Sequence, residues 1–273
     1  MNQVSDYFSE APQASETDGA PNSKAVYRFA SHVVAMLASR ANVPASTIRE
    51  VLLLQLIEAV VSEDPAAAVS LLADLREQNI SVEQLTDYYL PEAARALGDA
   101  WDNDQADFID VTIGAMRLQS LLRGLDGDDL IANAHRPTVG SVLMIVPNGE
   151  QHTLGALVAA AQIRRKGVTV CIRIMPRTNE LRELLRGRSF DGIMISVSSH
   201  ESLDLAGKLI DLLRKMPERR TPVVLGGALL SFNEDLKSAT GADIVTNDIT
   251  VALESCGLSG AHASAAWGRS ARR

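Results

Sequence analysis

From Tyr27 to about Leu125 apolar side chains return every three or four positions, as Ile48, Leu52, Leu56 and Val60 do, which places them on one face of a helix. Polar breaks at Asn42-Val43-Pro44 and Asp64-Pro65 divide the run. The pattern predicts a bundle of about four or five helices over residues 25–130. Pro91, following Tyr88-Tyr89-Leu90, has no backbone N–H to donate, so a kink or a restart is expected there before the helix continues through Ala94, Leu97 and Trp101.

Beyond the polar stretch Asp126 to Pro137 the period changes. Short apolar runs rich in β-branched residues occur at Ser141–Val146, Val168–Ile174, Gly192–Ser196, Val223–Leu225 and Ile244–Val245, and amphipathic helical segments at 152–166, 179–187, 201–215 and 231–239 separate them. Parallel neighbours need a crossover helix, so this alternation predicts a flavodoxin-like, five-stranded parallel sheet over residues 137–258. The fold class expected is therefore a helical bundle followed by an α/β domain. Residues 1–24 hold few large apolar side chains and are expected to be disordered, as is the tail 259–273, which ends in Arg269, Arg272 and Arg273.

Composition narrows the function. With 26 Lys and Arg against 34 Asp and Glu, the net charge of −8 argues against direct, sequence-specific DNA binding. No run is long and apolar enough for a membrane span, and Cys171 and Cys256 lack metal-ligand spacing and lie in or beside apolar stretches, which fits core thiols in a reducing cytoplasm.

The chemistry is concentrated where such a sheet collects ligands, at the carboxyl ends of its strands. Directly after the first strand comes Pro147-Asn148-Gly149-Glu150-Gln151-His152-Thr153-Leu154-Gly155. Two readings stand on this segment alone: His152 ligates a metal while Glu150 accepts its other ring N–H, or Glu150 caps the helix and His152 is a solvated loop residue. Ser196-Val197-Ser198 ends the third strand and Gly226-Gly227 the fourth. A hydroxyl can bond a buried ring nitrogen, and paired glycines leave room for a bulky ligand.

In this order the residues resemble the cobalamin-binding signature Asp/Glu-x-His-x-x-Gly, then Ser-x-Leu, then Gly-Gly, with Glu150 at the usual Asp and Ser198 at the usual Leu. Over residues 27–258 the chain is similar to the AerR/PpaA family of photosynthesis regulators, relatives of the tetrapyrrole-binding domain of AppA. The matching residues are Trp101, Asp104 and Phe108, the segment Val111-Thr112-Ile113-Gly114 running into Arg117-Leu118-Gln119, and the segment around His152. The resemblance implies cobalamin, as hydroxocobalamin or adenosylcobalamin, with His152 the lower axial ligand to cobalt. It also implies a nucleotide-tail slot lined by Gly155, Ser196, Ser198, Gly226 and Gly227, and an upper face covered by the bundle through Trp101 and Phe108. It further implies a light-responsive antirepressor that engages a PpsR/CrtJ-type repressor. In the CarH/LitR sensors, which the chain resembles from the bundle onward, a Glu-His pair stands where this chain has Val111-Thr112, so their upper His ligation does not carry over.

Two other readings use the same fold: a corrinoid carrier for methyl transfer and a haem sensor, since an axial His also serves iron. Enzymatic turnover is not expected, because no nucleophile–base pair or paired acids stand in the presumed site. In Leu97-Gly98-Asp99-Ala100-Trp101 the glycine is expected to permit close helix packing. Of the other histidines, His32, His135 and His262 lie away from the strand ends, and His200 is expected in the loop after the third strand.

Overall fold

The computed structural model describes residues 49–132, 138–150, 152–216, 221–232 and 235–258. The expected N-terminal and C-terminal tails, the start of the bundle, and His32, His135 and His262 lie outside the described residues.

The first described helix, α1 (Glu50–Val61), buries Leu52, Leu56 and Val60 of the stripe read from the sequence, with Leu53 and Ile57 beside them; Ile48 lies outside the described residues. It is followed by α2 (Ala67–Glu77). Next, Ser81 accepts from the Gln84 amide while the Gln84 side chain accepts from the Ser81 amide, and this reciprocal cap starts a helical turn. A π-helical stretch, Leu85–Tyr89, follows and leads without a break into α3 (Leu90–Asp102), and Pro91, which has no N–H to donate, falls directly after the π turn. The long α4 (Phe108–Ala132) completes the bundle. Arg117 on α4 donates to the carbonyls of Val60 and Ser62, closing the end of α1.

The helices α3 and α4 cross closely at Gly114, where an added Cβ would come within 2.7 Å of a Leu97 methyl. Gly98, expected to be the close-packing glycine, has nothing within 4 Å of that position. The small residue that lets the helices approach is on the other partner, facing Leu97.

The sheet has the order β2-β1-β3-β4-β5 and comprises β1 (Gly140–Val146), β2 (Val168–Ile174), β3 (Gly192–Ser196), β4 (Val223–Gly226) and β5 (Ile244–Val245). All pairings are parallel. Its crossover helices are α5 (Leu154–Arg165), α6 (Thr178–Gly187), α7 (His200–Arg214) and α8 (Leu236–Thr240), and α9 (Ile249–Ser255) ends the described chain. One face packs α5 and α9 through Val142, Met144, Ala156, Ile163 and Leu253. The other packs α6, α7 and α8 through Leu143, Ile145, Leu181, Ile210 and Leu236. Connections from β1 and β3 thus leave on opposite faces, which opens a crevice at the switch point between those strands.

Two elements differ from expectation. The segment 231–239 is not one helix: a 3₁₀ turn (Ala228–Phe232) precedes α8, whose cap Asp235 accepts from the Ser238 amide and so begins a new helix. The helix α9 was not anticipated, because β5 is two residues long and leaves little contrast of period.

The bundle sits on α5. Val158 lies in the bundle core, with Leu154 and Leu157 packed against it, while Ala156 and Ile163 on the opposite side belong to the sheet core. Two ion pairs at the same junction, Arg164 with Asp126 of α4 and Arg165 with Asp87 of the π stretch, are more than half buried.

Candidate corrinoid site

The loop between β1 and α5 carries Glu150 and His152 to the carboxyl edge of the sheet, at the switch point. Opposite it, the chain leaving β3 presents Ser198 just before α7, whose first turn is fixed by Ser199 accepting from the Ser202 amide. His200 opens α7 and is not a loop residue.

Glu150 is 1% exposed, although it is a carboxylate. Its Oε2 accepts from the Ser198 amide at 2.6 Å, and its Oε1 from the Ser198 hydroxyl at 2.6 Å and the His152 amide at 2.8 Å. Burial pushes its pKa up, but the donations from the Ser198 hydroxyl and the His152 and Ser198 amides outweigh it and hold the carboxyl below its ordinary value. A buried charge is tolerated because donors surround it.

The His152 side chain is 81% exposed, but one of its nitrogens is held. Nδ1 lies 3.0 Å from the Ser198 Oγ and 3.2 Å from Glu150 Oε1. The Ser198 proton already goes to the carboxylate, so the proton in this contact is the ring's own, on Nδ1. That tautomer leaves the lone pair on Nε2, directed away from the held side of the ring, and an anionic neighbour makes it a better donor to a metal.

Among the described residues, no group of three or more His, Cys, Asp or Glu side chains could hold a metal ion. One imidazole is too few for a bare ion, but it suits a metal that arrives in a macrocycle with four equatorial ligands of its own. The residues present fit a corrinoid in this respect.

The other residues read from the sequence are placed as follows. Ser196 ends β3 beside Gly226 of β4. Gly155 is in the first turn of α5, with open space where a Cβ would stand. The Gly226-Gly227 pair has a reason other than room for a ligand: a Cβ on Gly227, at φ +119°, would lie 2.0 Å from the Val197 carbonyl oxygen, and one on Gly226 would lie 3.0 Å from that of Thr246. Gly227 is required by the backbone itself. Ser198 faces Glu150 and His152, so its role is to join that pair.

Trp101 and Phe108 form an edge-to-face pair with ring centroids 6.1 Å apart. They are 46% and 69% exposed, so Trp101 is not a core residue. Among the described residues, no hydrogen bond or ring contact joins them to the His152 cluster. Ile109, Ile113 and Met116 of α4 extend the same exposed apolar surface. Cys171 and Cys256 are free and partly buried, and burial pushes the Cys256 thiol up.

The sequence reading missed Ser202. It is fully buried, accepts from the Ser198 and Ser199 amides, and donates to the Ser199 carbonyl. The spacing Ser199-x-x-Ser202, a helix-start pattern, was the available signal.

No helix among the described residues is long and apolar enough to cross a membrane. Residues 140–256 match the family model of the B12 binding domain. The uncharacterized 20.5 kDa protein in the bchF-crtJ intergenic region of Rhodobacter capsulatus is 38% identical over 185 residues, covering 68% of this chain and 96% of that protein. Among solved structures, the monomethylamine corrinoid protein of Methanosarcina barkeri is similar in fold, with a TM-score of 0.59 at 16% identity over 74% of this chain and 95% of the other. With a relative this similar matched along nearly its whole length and a cobalamin-binding domain spanning the sheet, the chain belongs to the AerR/PpaA family.

Proposed function

We propose that this protein is a non-enzymatic, light-responsive regulator that binds cobalamin with His152 below the cobalt and acts by contacting a PpsR/CrtJ-type repressor, not DNA. The observation that carries the reading is the exposed imidazole with its Nδ1 held by Glu150 and Ser198 and its Nε2 left free at the switch point. A bound cobalamin would supply a cobalt whose upper ligand responds to light. The chain's own residues orient and support it. Ser198 fixes the carboxylate, the carboxylate fixes the ring tautomer, Gly155 leaves space beside the axial loop, and Trp101 and Phe108 offer an apolar cover. The relative's location beside crtJ supports a link to that repressor. The free thiols fit work in the cytoplasm.

The test is a dark titration with hydroxocobalamin. Wild type is expected to shift the corrinoid spectrum, and His152→Ala to leave it as in buffer. An unaltered shift in the variant would overturn the axial assignment. Adding the repressor to its operator, with and without loaded protein, then tests the regulatory half: a loaded protein that changes neither the affinity nor the footprint removes it. A corrinoid carrier for methyl transfer is the second reading, supported by the fold shared with the methylamine corrinoid protein. It requires cobalt that cycles between methylated and reduced forms on the protein, which the same spectra would record.

A further inference from the structure

Three described residues other than glycine turn through a positive φ: Asn79 at 63°, Asp104 at 54° and Met175 at 48°. Asn and Asp tolerate the left-handed region because their short polar side chains can bond locally, whereas Met has no such compensation. Met175 is also 43% exposed, as is Ile174 before it, so burial in the core does not offset what the turn costs. Strain of this kind persists only where the surroundings impose it, and it gathers at ligand sites.

What imposes it here is the root of the axial loop. Ile174 pairs with Val146, the last residue of β1, and the Met175 amide donates to the Val146 carbonyl at 2.8 Å, one step past the end of β2. Pro147, which opens the segment carrying Glu150 and His152, follows Val146 directly. Neighbouring strands lie about 4.8 Å apart, less than the width of a corrin macrocycle. A ring seated over the β1–β3 switch point therefore reaches the end of β2, where two apolar side chains stand exposed between Arg173 and Arg177. Resting on the corrinoid reading above, we propose that Ile174 and Met175 form an apolar seat for one edge of the corrin ring, and that the left-handed turn keeps Met175 at that edge at a cost in stability to the unloaded fold. The thioether chain is flexible and polarisable, which suits packing against the uneven rim of a conjugated ring.

The test measures unfolding of the unloaded protein and dark hydroxocobalamin binding on the same variants. Met175→Gly removes the side chain and relaxes the turn, so its unfolding midpoint is expected to rise by about 1–4 °C. Its corrinoid affinity is expected to fall about 5–10-fold. Met175→Ala keeps the strained turn and should lose the same affinity without the rise. Met175→Leu, which keeps an apolar chain of similar volume, should bind within about twofold of wild type. Damage to the fold would lower stability and affinity together and cannot produce this pattern. Wild-type affinity in Met175→Gly would overturn the proposal, and so would a Met175→Gly protein that is both less stable and weaker in binding. The His152→Ala control separates the two levels: if it abolishes the spectral shift while the Met175 variants bind as wild type, only the seat falls. If wild type itself gives no shift, the corrinoid reading falls and the seat with it.

Discussion

The bundle and the sheet offer opposite chemistry at their surfaces. The sheet's carboxyl edge presents a polar device in which a serine hydroxyl and two backbone amides converge on a buried carboxylate, and that carboxylate and hydroxyl hold one imidazole. The bundle presents exposed apolar side chains, Trp101, Phe108, Ile109, Ile113 and Met116, with one edge-to-face ring contact among them. A metal ligand must be held within tenths of an ångström and in one tautomer, which takes directional bonds. A cover needs only area and shape. The polar wall should therefore set whether a corrinoid binds, and the apolar wall which upper face is accepted.

The contrast can be broken most sharply at Glu150. Replacing it with Gln puts an NH₂ group among donors, so Glu150→Gln is expected to lose about 1–3 kcal/mol of stability. Corrinoid affinity should fall on the order of 10–100-fold as well, read by denaturant unfolding and by titration. Wild-type affinity after that substitution would mean that the carboxylate only caps the loop.

Glycine substitutions separate backbone need from ligand room. Gly227→Ala is expected to destabilise the unloaded protein by about 1–3 kcal/mol, because its backbone lies where a Cβ meets Val197. Gly155→Ala should leave unfolding unchanged and weaken binding alone, since its Cβ enters open space. Equal effects of the two on unfolding would contradict this division.

Acid provides a graded test of the same wall. The depressed Glu150 carboxyl contributes stability that is fully present above its unfolded value and is lost as pH falls through the lower folded value. Denaturant unfolding at a series of pH values checks this, and a stability contribution in wild type over Glu150→Gln that does not shrink in acid would contradict it.

The smallest effect on folding belongs to the apolar wall. Phe108→Ala is expected to change stability by about 1 kcal/mol at most, the worth of one exposed ring contact. It should nonetheless alter the preference between hydroxocobalamin and adenosylcobalamin, measured by competition. An unchanged preference would remove Phe108 from the cover.

Strand positions were legible because β-branched runs stand out against amphipathic helices, and His152 with Glu150 because both fall directly after the first strand. The helix start Asp235 and the short α9 were not legible, since their signals span too few residues to show a period. The role of Ser198 as a bridge was hidden: it depends on how close β1 and β3 bring their following loops, which only the parallel pairing reveals. Gly98 and Gly114 make the same point, for either could have served the α3–α4 crossing and only packing decides between them.

The helix α5 lends its two sides to two different cores. Neither half can let go of it without exposing apolar surface of the other, so heat or denaturant should melt bundle and sheet in one cooperative step. A calorimetric trace would then carry a single peak, and a ligand gripped at the sheet would raise the melting point of the bundle with it.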